Sequence, residues 1–323
     1  MATKVFALVA HKDGKADDSA LELLAAAKAM FPESAPVALV MGAGAGLKAV
    51  AQEVAAAFPE VWSFDQDSLA YPNAELIRPL LVKVLPAEAV LLLPHSTLGM
   101  DLGPGLAVKL DAAYLPDVVA CDGFDGSRIK VVRQEYAAQV SAHVQGDLAK
   151  GAVITLRSGS FQPSAASASG QVVDKSAEAA GLTARRKFIE VVQPEAGDVD
   201  ITREEVLVSV GRGIGEQDNL PLVEELAEAM GAAVSCSRPI VDAKWLEKAR
   251  QVGTSGQTVK PKVYLALGIS GAFQHLGGLK GSPFIVAVNK NPKAPIFQVA
   301  SVGIVADLLE FLPELTEQIQ KAK

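Results

Sequence analysis

The chain has 323 residues, half of them apolar and 21% charged, with a formal net charge of −7. That length exceeds what one compact core usually organises, and the balance is that of ordinary globular proteins, so two domains are expected. The acidic surplus excludes a general nucleic-acid binder, which needs a basic stripe to displace counterions, and no apolar run approaches the roughly 18–20 residues of a membrane span.

Lys4–Ala10 reads as a strand and runs into the polar HKDGKADD, too polar for a secretory signal and too acidic for a transit peptide. With Cys121 and Cys236 as the only cysteines, a reducing compartment without disulfides is expected, and the cytoplasm fits. Ser19–Met30 carries apolar residues at helical spacing. Pro36–Val40 reads as a strand, Leu47–Phe58 as a helix, Val61–Phe64 as a strand, Glu75–Val84 as a helix and Ala89–Leu93 as a strand. Such alternation predicts parallel pairing through crossover helices. Over Asp117–Val144 the pattern changes to strands broken at Asp122-Gly123 and Asp125-Gly126, with a further strand at Ala152–Leu156. Antiparallel hairpins added to a parallel sheet are expected there.

Residues 163–181 are rich in Ser, Ala and Gly, and the Arg185-Arg186-Lys187 run beyond them reads as a solvated loop. The Pro194 region marks the boundary between domains 1–193 and 194–323. The alternation then restarts, with strands at Glu205–Val210, Ala232–Cys236, Val263–Leu267, Phe284–Val288 and Pro295–Val299. Helices are expected at Leu220–Met230, Ala243–Gln251 and from Ile304 onward. The fold class is therefore two open α/β domains, the first built on a mixed, mostly parallel sheet with helices.

Ligands gather at the carboxyl ends of strands in such sheets. The first glycine cluster, Gly42-Ala43-Gly44-Ala45-Gly46, lacks the third glycine of a dinucleotide fingerprint because Leu47 stands there, and it reads as a close strand-to-helix turn. The second, Gly211-Arg212-Gly213-Ile214-Gly215, would let the backbone approach a phosphate beside an arginine. It is followed in the same domain by SRPIVD (237–242), QVGTSG (251–256), GISGAFQH (268–275) and AVNK (287–290). Four further Gly/Ser-rich loops beside strands of one sheet suit a large, phosphorylated, hydroxyl-bearing ligand. His11, His95 and His143 show no metal-ligand spacing, although His95 ends a strand, and no nucleophile is paired with a base.

The run VGRGIG, SRPIVD, QVGTSG, YLALGISGAFQHLGGL, FIVAVNKNPKAPIF and VGIVADLLEFLPEL closely resembles the FAD domain of electron-transfer flavoprotein α subunits. PHSTLGMDLGPGLAVKL and TLRSGSFQP resemble that family's first domain. The resemblance implies that the second domain is a flavodoxin-like, deoxyhypusine-synthase-like FAD-binding domain. It implies FAD contacts at Arg212, Ser237, Arg238, Gln251, Val252, Gly253, Thr254, Ser255, Gly268, Ser270, Gly271, Ala272, Phe273, Gln274, His275, Asn289, Asp307 and Leu308. Arg238 would lie against the isoalloxazine, Ser255 would face N5, His275 would lie near the pyrimidine-side carbonyl, and Asp307 would serve the adenosine end. A fixed cation and a donor beside the ring would stabilise its reduced, negatively charged forms.

The resemblance further implies one FAD per chain and a heterodimer with a β subunit that holds AMP or a second FAD. As an electron carrier rather than an enzyme, the chain would take electrons from flavin dehydrogenases, such as the acyl-CoA dehydrogenases of fatty acid β-oxidation. It would deliver them to a membrane quinone oxidoreductase or another acceptor. An electron-bifurcating, NADH-oxidising version and a nucleotide-binding domain without redox work stay open. Thr254 stands where the family commonly has glutamine, Ser301-Val302 where it has a charged residue and a tyrosine, and Met100 where it often has arginine.

Overall fold

The computed structural model describes residues 3–136, 140–163, 168–190, 199–281 and 283–322. They form two compact units that divide after Glu190. The expected boundary at Pro194 lies outside the described residues.

The first unit runs β1 (Val5–Leu8), β2 (His11–Lys12), β3 (Lys15–Ala16), α1 (Ser19–Met30), β4 (Val37–Gly42), α2 (Gly44–Ala55), β5 (Glu60–Asp65), α3 (Ala74–Val84), β6 (Val90–Pro94) and α4 (Thr97–Leu110). It continues β7 (Ala113–Phe124), β8 (Arg128–Glu135), β9 (Val140–Asp147), β10 (Ala152–Leu156) and β11 (Gln171–Asp174). Nine strands make one sheet in the order β11-β5-β4-β1-β6-β10-β7-β8-β9. The strands β1, β4, β6 and β10 are near-continuous aliphatic runs, as expected for strands covered on both faces. One face packs on α1 and α2 through Leu23, Leu24, Val50 and Val54, the other on α3 and α4 through Ile77, Leu80, Leu102 and Leu106.

Four features of this unit depart from the pattern read in the sequence. β10 is no hairpin partner; it pairs in parallel with both β6 and β7, inside the sheet. Asp122-Gly123 is not a turn but part of a β7 irregularity, where the pairing with β8 shifts register between Cys121 and Gly123; the chain reverses at Asp125-Gly126. α4 was hidden because three glycines and Pro104 lower its intrinsic helix propensity. Tertiary packing overrides that: a Cβ at Gly103 would come within 2.8 Å of the Tyr114 ring on β7. β11, in the Ser/Ala/Gly-rich stretch, extends the sheet in parallel beside β5.

The second unit runs β12 (Val206–Val210), α5 (Leu220–Met230), β13 (Ala233–Cys236), α6 (Arg238–Asp242), β14 (Val263–Leu267), α7 (Phe273–Leu276), β15 (Phe284–Val288), β16 (Val302–Ile304) and α8 (Leu308–Ala322). Its five strands are all parallel, in the order β13-β12-β14-β15-β16. The helix expected at Ala243–Gln251 lies earlier, at α6, because Lys244 adopts a left-handed conformation at φ 61° and stops it. Pro295–Gln298 forms a 3-10 turn rather than a strand, and the edge strand is β16, so the last helix begins at Leu308.

Candidate functional site

In the second unit every strand points the same way, so the loops after β12, β13, β14, β15 and β16 emerge at one edge of the sheet. The chain winds from β12 outward to β13 and then back across to β14, which makes the gap beyond β12 and β14 the switch point where such sheets hold ligands. Arg212 follows β12, Ser237 and Arg238 follow β13, Gly268–Ala272 follow β14, Asn289 follows β15 and Asp307 follows β16. The topology therefore brings the expected residues to one edge.

The glycines there do something other than the sequence suggested. Gly213 N donates to Gly268 O at 3.0 Å and Gly211 N to Leu267 O at 2.8 Å. A Cβ on Gly268, at φ +63°, would lie 2.6 Å from Gly213 Cα. These glycines are consumed in locking two loops together, and the approach of backbone is to backbone.

The other loops are tied in the same way. Ser237 is buried, and its N–H donates to Val210 O at 3.0 Å. Gln251, with Val252 and Gly253, is buried, and Gln251 Nε2 donates to Ser255 Oγ at 2.9 Å, which orients an exposed hydroxyl. Thr254 N donates to Gln274 O at 2.8 Å, joining the 251–257 loop to α7. Asn289 Nδ2 donates to Ile269 O at 3.0 Å while its Oδ1 accepts from Asn291 N at 2.9 Å. Asp307 Oδ1 accepts from Leu309 N at 2.9 Å, the geometry of a helix N-cap for α8, and Leu308 is buried below. Gly271 is buried against Ile296. Arg212, Arg238, Thr254, Ser255, Ser270, Ala272, Phe273, Gln274 and Asp307 are exposed. Arg238 Nε sits 3.4 Å from Asp242 Oδ2, one turn along α6.

His275 is buried, with Nε2 2.8 Å from the hydroxyl of Tyr264. Burial pushes its pKa down to about 4, the nearby Val252 carbonyl pulling in the other direction, so the ring is neutral at pH 7. Nδ1 is shielded and has no aligned hydrogen-bond partner among the described residues. Two exposed guanidinium groups, three exposed hydroxyls, an exposed phenyl ring and one unpartnered buried imidazole nitrogen suit a large anionic ligand with an aromatic end. FAD is such a ligand, and the residues present fit it. Tyr264 was missed in the sequence; the available signal was a hydroxyl in each of three adjacent apolar strands, at Ser209, Ser235 and Tyr264.

A second polar cluster sits in the first unit, where β6 and β10 end. His95 Nδ1 lies 2.8 Å from Thr155 Oγ1, which also accepts from Asp117 N at 2.8 Å. Arg157 grips Asp117 with Nε at 2.9 Å from one carboxylate oxygen and a terminal nitrogen at 2.5 Å from the other. Burial pushes the Asp117 carboxyl up, but the Arg157 hydrogen bonds and charge, with His95 and Arg133, leave it below the usual range. Burial pushes His95 down, against the attraction of Asp117. His11 binds the Met41 carbonyl at 2.8 Å and His143 pairs with Asp122. The Gly42–Gly46 turn is closed by Asp65, whose Oδ1 accepts from Gly44 N at 2.8 Å. Arg186, in the run read as a solvated loop, is exposed there and pairs with Glu75 and Asp101. Among the described residues there is no metal-binding group of three or more His, Cys, Asp or Glu, and no helix long and apolar enough to cross a membrane.

Residues 200–280 match the family model described as the electron transfer flavoprotein FAD-binding domain, and residues 5–180 the electron transfer flavoprotein domain. The probable mitochondrial electron transfer flavoprotein subunit alpha of Cryptococcus neoformans var. grubii is 34% identical, over 98% of this chain and 91% of its own length. The electron transfer flavoprotein subunit alpha of Methylophilus methylotrophus is 39% identical over 72% of each chain. Subunit LctC of the lactate dehydrogenase (NAD(+),ferredoxin) of Acetobacterium woodii is 33% identical over 81% of this chain and 63% of its own.

Proposed function

Because the chain belongs to the electron transfer flavoprotein family as an α subunit, we propose that it holds one FAD on the loops at the carboxyl edge of the β12–β16 sheet and relays electrons as half of a heterodimer. Its first domain, residues 1–193, meets the β subunit, which carries AMP. Flavin dehydrogenases such as acyl-CoA dehydrogenases donate electrons, and a membrane quinone oxidoreductase or another acceptor takes them, in the cytoplasm.

The observation that carries this reading is the gathering of five strand-end loops, each with polar groups of its own, on one edge of one parallel sheet. Bound FAD supplies the redox chemistry at its isoalloxazine ring. Arg238 stays charged at any working pH and opposes the negative charge that reduction creates beside it. Ser255, its hydroxyl held by Gln251, can accept or donate a hydrogen bond and so suits either redox state of a ring nitrogen. His275 contributes a neutral imidazole, and Arg212 adds positive charge near phosphate. Thr254 in place of the family's glutamine supplies a hydroxyl to the same rim.

Purification with the adjacent β subunit, followed by a count of flavin and AMP per heterodimer, tests this. One FAD and one AMP are expected; a colourless complex without flavin overturns it. The likeness to the LctC subunit favours one alternative, a bifurcating complex, and two FADs per heterodimer would select it.

A further inference from the structure

Tyr264 lies wholly inside the second unit, on β14, between β12 and β15. Burying a phenol hydroxyl costs free energy unless it is hydrogen-bonded, so its one close polar partner, His275 Nε2 at 2.8 Å, matters. The hydroxyls of Ser209 and Ser235, on the two strands to one side, are buried and have no hydrogen-bond partner among the described residues.

Two arrangements of protons are open to this pair. In one, the phenol donates to Nε2 and the imidazole proton sits on Nδ1. In the other, Nε2–H donates to the phenol and Nδ1 is a bare lone pair. A phenol is a stronger donor than an imidazole N–H, and an imidazole nitrogen a stronger acceptor than a phenol oxygen, so at 2.8 Å the shared proton belongs on the phenol and points to Nε2. The Nε2 side of the ring therefore selects the first arrangement.

We infer that Tyr264 is a positioning residue: by donating to His275 Nε2 it fixes the imidazole as the neutral Nδ1–H tautomer, so that His275 presents a single hydrogen-bond donor to the cofactor site. The inference rests on the FAD reading for its purpose, but not for the tautomer itself. Tyr264 is wholly buried and acts through His275, whose Nδ1 is the proton-bearing atom. Removing the hydroxyl leaves the ring with no group to choose between its two nitrogens. The Nδ1 donor is then present only part of the time.

The test uses the complex with the β subunit, its histidines labelled with 15N. This chain contributes four imidazoles, and His275 is identified by the signal lost in His275→Gln. In the native complex the His275 spectrum should show a protonated Nδ1 and an acceptor-type Nε2 at pH 7. In Tyr264→Phe, which keeps the buried ring, the two nitrogen shifts should move toward exchange-averaged values. FAD should dissociate with a constant roughly three- to tenfold weaker, the scale of one lost net hydrogen bond. An Nε2–H tautomer in the native complex overturns the inference, and this readout does not depend on the folding of Tyr264→Phe. Unchanged imidazole shifts and unchanged FAD dissociation in Tyr264→Phe also overturn it. A complex that holds no flavin would sink the functional reading while the imidazole spectrum still decides the tautomer.

Discussion

Gly268→Ala probes whether the cofactor loops are locked to one another. A Cβ at Gly268 would meet Gly213 Cα at 2.6 Å, and the Gly213 carbonyl carbon and Leu308 Cδ1 at 2.9 Å each. The left-handed backbone itself costs an L-residue about 1–2 kcal/mol. Forcing a methyl into a filled gap costs about 1–3 kcal/mol more. The total is roughly 2–5 kcal/mol by those two scales. Gly231 supplies the control, because it has the same φ of +63° at the end of α5 but nothing within 4 Å of its Cβ position. Gly231→Ala should therefore cost only the backbone share, about 1–2 kcal/mol. Urea unfolding of both variants in the heterodimer at one fixed FAD concentration separates the two contributions. Gly268→Ala should also hold FAD about tenfold less tightly, since the Arg212 and Ser270 loops must part. Equal losses of stability in the two variants, with FAD retention unchanged, would mean that backbone conformation alone requires the glycine.

Arg238→Ala should lower the midpoint potential of the bound flavin. At about 4 Å and an effective dielectric near 20 the attraction is roughly 4 kcal/mol. Solvent and the competing Asp242 reduce this to a net of about 1–3 kcal/mol, or roughly 40–130 mV for one electron. Arg238→Lys should recover only part, and an unmoved potential in Arg238→Ala would place the guanidinium away from the ring. Asp307→Ala should both loosen FAD and destabilise α8 by about 1 kcal/mol, while Asp307→Ser should restore the cap alone; equal FAD retention in all three proteins would remove Asp307 from the ligand. Stability should fall with acid because the folded His275 resists protonation that the unfolded chain accepts. The His275 contribution is complete above the ordinary histidine pKa near 6.5 and is lost as the pH drops toward about 4, by up to about 3 kcal/mol. His275→Gln should flatten the pH dependence of urea unfolding between pH 5 and 7; an identical slope would contradict the buried neutral ring.

Local order was legible where local pattern decides. Ser19–Met30 and Leu220–Met230 fold as helices over the spans their apolar spacing marks, and the aliphatic runs of β1, β6, β14 and β15 form buried strands. What was not legible depends on partners distant in sequence. α4 is a helix because Tyr114 and the sheet accept its glycine face, and no window of residues 97–110 reveals that. β10 resembles any short Val/Ile strand, and its parallel place between β6 and β7 is fixed by the sheet. At the site, motif spacing marks the loops but not the burial of His275 or its bond to Tyr264, eleven residues away. Asn289 and Asp307 read as ligand contacts in the sequence; that each holds its own loop or helix together becomes visible only through their hydrogen bonds.

The late position of β10 has a consequence for biosynthesis. β6 and β7 flank it in the finished sheet, but both leave the ribosome before residue 152 does. Until that strand arrives, β6 and β7 cannot be bridged, and each presents an open edge to solvent. Such edges invite pairing with other chains. Pulse-chase experiments on ribosome-bound nascent chains should find the first unit protease-sensitive when only residues up to about 150 have emerged. Protection should set in once Ala152–Leu156 is outside the exit tunnel. A truncation ending just before β10 should aggregate even though it retains seven of the nine strands of the sheet, all four helices of the first unit and most of the aliphatic core.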